Sequence, residues 1–297
     1  MHVPVLLKEV LECLDPQSNE NFVDCTVGEA GHMAAVLEKT SPRGKGLGIE
    51  VDIELYQKLK SQTAEFSISK SQFSKRLVLI NDNFANLKEI VERVKFGKVN
   101  MILFDLGMSS WHLEESGRGF SFKRKEPLDM RYNTSTQLTA EKILNFWSRH
   151  ELERILREYG EEKFSRQIAE NIVQARKSKP IKNTLQLAEI IKRSVRGRQK
   201  IHPATRTFQA LRIAVNNELE NLKQGLCQAV EILEKGGRTA VISFHSLEDR
   251  IVKNYFREKA GKASIKILTK KPITPSVQEI KNNPRARSAK LRAIIKD

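Results

Sequence analysis

Short apolar runs alternate with longer mixed stretches through the first hundred residues. The runs stand at Phe22–Thr26, Gly46–Ile49, Leu77–Ile80 and Met101–Phe104. Between them lie amphipathic or mixed segments such as His32–Lys39 and Ile53–Ala64. This alternation predicts an α/β fold, a parallel sheet with crossover helices. The next strong strand pattern is Arg238–Phe244, announced by Lys235-Gly236-Gly237. A crossover needs only about 30 residues, whereas roughly 130 separate these two strands. The surplus predicts an inserted helical domain of about 100 residues, enough to hold its own core. The expected division is 1–112, an insertion over 113–204, and 205–297.

Inside the insertion, Ser148-Arg149-His150-Glu151 reads as a capping box opening a helix over Leu152–Tyr159, with Gly160 as its stop. Phe164–Ala175 and Thr184–Ser194 repeat the helical period. Phe208, Leu211, Val215, Leu219, Leu222, Leu226, Ala229 and Leu233 then step by three and four, predicting a long helix that returns to the sheet on a core-packing stripe. A helix over Leu247–Lys259 and strands at Ile265–Leu268 and Ala289–Ile295 complete the pattern.

Composition narrows the class. Apolar residues make up 39% and charged residues 30% of the 297, the balance of a globular domain. No run approaches the ~18 consecutive apolar residues of a membrane span. Glu9 and Glu12 interrupt the N-terminal stretch, which therefore does not read as a signal peptide, and a cytoplasmic location is expected. Cys13, Cys25 and Cys227 are dispersed and odd in number, so neither a disulfide framework nor a zinc site is expected. His245, Glu248 and Asp249 cluster after the fifth strand, but without a second ligand motif they read as structural or substrate-orienting, and no metal is expected.

The net charge of +16 is unevenly placed. Ile190–Asn217 holds seven Lys/Arg and no acid, and Lys259–Asp297 holds eleven against Glu279 and Asp297. Clustering of this kind points to a polyanionic partner. Lys192, Arg193, Arg196, Arg198 and Arg206 are the candidate phosphate contacts.

The first strand runs into Val23-Asp24-Cys25-Thr26-Val27-Gly28-Glu29-Ala30-Gly31-His32, a strand feeding a small-residue loop and then a helix, where backbone can approach a ligand. Glu50, ending the second strand, lies 22 residues past Gly28, where a carboxylate can hold ribose hydroxyls. The loop is not a clean Gly-x-Gly-x-x-Gly, so a sulfonium nucleoside suits it better than a dinucleotide. The fourth strand ends in Asp105-Leu106-Gly107-Met108-Ser109-Ser110, at the end of the sheet where ligands sit.

Seven ordered motifs then carry a resemblance across essentially the whole chain. They are His2–Leu7, Arg118–Phe122, Pro127–Arg131, Tyr159–Phe164, His202–Ile213, Ile242–Arg250 and Asn283–Arg292. Together they resemble the RsmH (MraW) family of small-subunit ribosomal RNA cytosine-N4 methyltransferases. The resemblance implies a class I (Rossmann-like) methyltransferase sheet with an inserted helical domain. It implies S-adenosylmethionine as cofactor and, as substrate, the N4 amine of a cytidine in the decoding region of 16S ribosomal RNA, met free or in the small ribosomal subunit. Carried over by motif, cofactor contacts fall on Ala30, Gly31, His32, Glu50, Phe84, Asp105 and His112. The chain departs from the family pattern at Cys25 (usually Gly), at Glu29-Ala30 (usually more Gly-rich), at Glu50 (usually Asp) and at Trp111-His112 (usually Pro-Gln).

Amine methylation needs acceptors that draw the amine's hydrogens so that its lone pair turns toward the methyl. Asp105 and Ser109 are the expected catalytic residues, with Asp105 or water taking the proton. An extruded base needs a stacking partner, and Trp111, Phe120 and Phe122 are candidates, each more readily read as core because stacking requires exposure. His202, before Pro203, reads as helix-start packing. Two other functions fit the residues: a DNA or protein amine methyltransferase on the same scaffold, and a ribosome-assembly binding protein without catalysis.

Overall fold

The computed structural model describes residues 4–69, 75–195, 197, 201–262 and 264–297, with the side chains of 63–69 outside the description. The chain forms two compact units, Met1–Gly107 with Leu219–Asp297, and Met108–Glu218.

The first unit is built on seven strands: β1 (Phe22–Asp24), β2 (Gly46–Glu50), β3 (Leu77–Asn81), β4 (Val99–Asp105), β5 (Leu233–Ser243), β6 (Ile265–Ile267) and β7 (Lys290–Lys296). Their order is β3-β2-β1-β4-β5-β7-β6. The first five are parallel, and β7 runs antiparallel between β5 and β6. This mixed sheet, parallel but for β7 and covered by helices on both faces, is the α/β architecture expected from the sequence.

The inner strands are apolar on both faces, as a doubly covered sheet requires. Along β4, Ile102 and Phe104 join one core while Met101 and Leu103 join the other. That alternation is the two-residue period of a strand. The first core is closed by α4 (Leu87–Arg93), α11 (Glu218–Ile232) and α12 (Ser246–Gly261), through residues such as Ile90, Leu226 and Phe256. The second is closed by α1 (Leu7–Leu14), α2 (Gly31–Lys39) and α3 (Ile53–Ser69), through Leu14, Met33 and Leu59.

The second unit is helical: α5 (Ser110–Glu114), α6 (Ala140–Phe146), α7 (Arg149–Glu158), α8 (Ser165–Ser178), α9 (Thr184–Ser194) and α10 (Ala204–Asn216). The Ser148/Glu151 capping box is formed, and a second, Asn183/Gln186, opens α9. The unit has its own core, which includes Leu128, Ile143, Leu156, Ile172 and Leu211. Gly119 is required by geometry: its φ is +77°, and a Cβ there would meet the Pro127 carbonyl oxygen at 2.2 Å.

Three expectations change. The stripe from Phe208 to Leu233 is two helices, because Asn217 turns left-handed (φ +51°) and ends α10, as Asn readily does at a C-terminus. The helical unit is consequently wider than 113–204. Phe208, Ala210, Leu211 and Val215 of α10 pack into the helical core rather than onto the sheet, and the return comes at Leu219. Finally, Lys235-Gly236-Gly237 does not precede β5 but interrupts it. The register jumps from Val99↔Leu233 to Met101↔Arg238, with Gly236 at φ +78° in the outlooped segment.

Candidate active site

Chain direction sets the first part of the site. From β1 the strand order runs outward through β2 and β3, and from β4 outward the other way through β5. The carboxyl ends of β1 and β4 therefore flank the switch point at which open α/β sheets bind ligands. Adjacent register (Asp24↔Leu103) brings the loop after β1 beside Asp105. The Thr26 hydroxyl accepts the Asp105 N–H at 2.7 Å, and the Cys25 N–H donates to Leu103 O at 2.9 Å. Ala30 stands in the left-handed region (φ +62°) immediately before α2. Gly31 follows because a Cβ there would lie 2.4 Å from the Pro4 ring.

His32, in the first turn of α2, is buried and brings Nε2 to 3.6 Å from Asp105 Oδ2. Both ring nitrogens of His32 and Oδ1 of Asp105 are buried without a hydrogen-bond partner among the described residues. Buried polar atoms are costly unless something meets them. Three in one place fit a polar ligand group arriving at the strand ends.

Asp24 was not singled out by sequence, though an acid closing an apolar strand was the available signal. It is almost fully buried and accepts the Thr26 N–H at 3.1 Å. Burial pushes its carboxyl up to about 6, against the opposing pull of His32 and the Thr26 N–H.

Glu50 ends β2 and is also buried. Oε1 accepts the Asp52 N–H at 2.9 Å and Oε2 the Gly28 N–H at 3.2 Å, so each oxygen keeps a further acceptor position. Burial raises its carboxyl to about 7 despite those two donors. Phe84, in a short 3-10 turn after β3, sets its ring edge-on to Phe104 at 5.5 Å, and a Cβ at Gly225 of α11 would collide with it.

Ser109 and His112 belong to the helical unit. Ser109 caps α5, and its Oγ lies 2.8 Å from His112 Nδ1. The His112 ring is buried edge-on against Trp111, Phe120 and Tyr132 at 4.9–5.3 Å. Phe120 lies nearly parallel over Tyr132, and the Arg118 guanidinium covers Trp111 at 4.9 Å. Trp111 and Phe120 are therefore interior residues and not available as stacking surfaces; Phe122 is half-buried. Sequence reasoning passed over Arg118, whose only signal was its place in a shared motif, and Tyr132, which stands one residue past another.

The cluster after β5 makes structural contacts, and His245 Nε2 also lies 3.1 Å from Glu248 Oε1. His245 caps α12, Glu248 accepts the N–H groups of Phe244 and His245 at 2.8 and 3.2 Å, and Asp249 holds Arg292 at 2.7 Å.

Of the candidate phosphate contacts, Lys192 and Arg193 are exposed in the last turn of α9. Arg193 pairs with Glu189 at 3.0 Å, an acid lying one residue outside the acid-free stretch. Arg206 donates to the Glu161 carbonyl at 3.1 Å. Arg196 and Arg198 lie outside the described residues. Neutralising Lys192, Arg193 and Arg206 together is expected to flatten the log–log salt dependence of binding to a polyanionic strand by about 2, because Arg193 is already partly compensated. A salt titration with an unchanged slope would show that these side chains only solvate the surface.

A family model described as the MraW methylase family matches residues 1–297. A protein of Syntrophotalea carbinolica named ribosomal RNA small subunit methyltransferase H is 45% identical over 311 aligned positions, covering 99% of this chain and 97% of its own. One of the same name from Persephonella marina is 47% identical over 296, covering 98% and 97%. The crystal structure of a rRNA methylase from Streptococcus thermophilus aligns over 100% of this chain and 98% of its own, with a TM-score of 0.45 and 11% identity.

Proposed function

Because this chain belongs to the MraW methylase family, we propose that it transfers a methyl group from S-adenosylmethionine to the N4 amine of a cytidine in the decoding region of 16S ribosomal RNA. The observation that carries the reading is the group of buried, unpartnered polar atoms on His32 and Asp105 at the switch point of the sheet. Relatives named small subunit ribosomal RNA methyltransferases match over nearly the full length and supply the substrate class.

The residues fit the cofactor. Glu50 offers carboxylate acceptors to ribose hydroxyls, the Ala30–His32 turn offers close backbone, and Phe84 offers an apolar wall. His32 and Asp105 offer the polar atoms that lack partners. When bound, the cofactor supplies an electrophilic methyl on a sulfonium. The chain's own task is to make a poor nucleophile attack. A cytosine amine lone pair is delocalised into the ring, so the amine must be held in line and its hydrogens drawn aside. Asp105 Oδ1 is assigned to accept one of those hydrogens and to receive the proton shed after transfer. The Ser109 hydroxyl, held on His112, is assigned as a second acceptor.

Glu50→Ala is expected to weaken binding of S-adenosylhomocysteine by about 1–2 kcal/mol, the worth of a charged hydrogen bond. Glu50→Asp should do much less harm. Calorimetric titration checks both, and unchanged affinity in the alanine variant removes the ribose assignment. The function itself is tested by mapping methylated cytidines in small-subunit ribosomal RNA from cells with and without the gene. Loss of one N4-methyl mark with the gene, regained on complementation, is the expected result; an identical map would overturn the proposal.

A further inference from the structure

We propose that His202, backed by Phe122, is a stacking platform on the helical unit for an unpaired nucleotide of the RNA. This rests on the RNA reading above and adds a contact to it.

Phe122 follows the Gly119 turn, and its ring packs edge-on against Phe208 of α10 at 5.4 Å, which sets its plane. The His202 imidazole lies parallel on Phe122, with centroids 4.3 Å apart and planes within 10°. His202 Nδ1 also accepts the Ala204 N–H at 3.2 Å, at the start of α10. The ring is thus held by a stack on one face and a hydrogen bond at its edge, yet His202 is exposed. A histidine that merely packed a helix start would bury its face. One that merely solvated the surface would not need two restraints.

An ordered, exposed π-face is what base stacking requires, because the ordering cost is met during folding rather than on binding. The surroundings select a nucleic acid strand. Lys123, Arg124 and Lys125 follow Phe122 and are exposed, the Arg124 guanidinium also donating to the Glu114 carbonyl, and Arg206 lies in the first turn of α10. The acid ending that run, Glu126, is turned inward to accept the Gly119 N–H at 2.9 Å. Among the described residues, Ile201 at 42% exposed and Leu185 at 44%, beside the Thr184 that bonds Arg124 and Glu126, are the large apolar residues exposed nearby, too little apolar surface for a protein partner. Cations for phosphates around one open ring match a single strand with a splayed base.

The test uses the full-length protein and a synthetic single-stranded RNA copying the decoding-region segment, with 2-aminopurine placed at successive positions. His202→Ala is expected to weaken binding about tenfold or more while leaving the salt slope unchanged, since stacking releases no counterions. Quenching of 2-aminopurine should vanish at one position. His202→Phe should restore both affinity and quenching. Wild-type-like binding and quenching in His202→Ala would overturn the platform. So would failure of the wild type to bind the strand, or a His202→Phe variant as weak as alanine with its salt slope lowered by about 1, which would make His202 a cation and not a stack. Methyl transfer by the wild type, followed in parallel, separates the two readings. Normal transfer with an indifferent His202 overturns the platform alone, whereas absent transfer overturns the methylation reading and leaves the binding result to decide the platform.

Discussion

Asp105→Ala is expected to fold normally and to lose at least ~10²-fold in single-turnover methyl transfer, the low end for a general acid–base group. The fold should survive because the carboxylate's structural tie is slight, a 3.6 Å approach of Oδ2 to His32 Nε2. Oδ1 has no hydrogen-bond partner among the described residues, and the bond that joins this position to the β1 loop is made by the backbone N–H, which any residue keeps. Two losses can be separated. If Asp105 acts only through cofactor binding, saturating cofactor restores most of the rate. If it acts on the target amine, the defect persists at saturation. Asp105→Asn keeps an acceptor but not the charge, so it should bind the amine yet fail to take the proton. A folded alanine variant with near-normal transfer at low cofactor would remove Asp105 from the mechanism.

The ligand-free protein is expected to lose stability as pH rises from about 4.5 to 7, and Glu50→Gln should abolish much of that slope. Burial raises the folded-state Glu50 carboxyl to about 7. The folded protein thus keeps a proton that the unfolded chain releases near the ordinary value, so stability is full below the unfolded pKa and declines through the folded one. At 1.36 kcal/mol per unit the decline is about 3 kcal/mol for Glu50. Asp24, raised to about 6, adds a loss of the same sign over a slightly lower range. Glutamine cannot ionise, and although it gives up one of two backbone acceptors, that cost does not vary with pH. Denaturant melts of both proteins from pH 4.5 to 8 check this; parallel curves would show that Glu50 titrates normally. Cofactor hydroxyls donating to Glu50 favour its charged form, so binding near pH 6 should release protons, visible as a buffer-dependent heat.

The sheet was largely legible because its signal is local. Each inner strand is a short apolar run, and the long gap before Arg238 forces an insertion whatever fills it. What was misread depends on partners remote in sequence. The stripe through Val215 and Leu219 keeps its period across Asn216-Asn217, so periodicity alone cannot show that its first half faces a different core. Lys235-Gly236-Gly237 has the composition of a turn, and only pairing with β4 makes it an interruption within β5. At the site, residue identity was readable but burial was not. Nothing local distinguishes the interior Trp111 and Phe120 from the half-buried Phe122, and Asp24 acquires its raised pKa only when folding buries it.

All seven strands lie outside residues 108–218, and the helical core draws only on residues inside them. A chain made from its N-terminus therefore has every residue of the helical unit in hand once Glu218 is added, while the sheet still lacks β5, β6 and β7. The inserted unit is expected to reach its native form during synthesis, ahead of the unit that encloses it in sequence, since domains fold as units during synthesis. The earlier half of the sheet, β1 to β4, must meanwhile wait with the β4 edge unpaired until residues 233–243 arrive to cover it. Pulse proteolysis of stalled chains ending near residue 250 should then yield a protected fragment close to 108–218 and digest the segment before it.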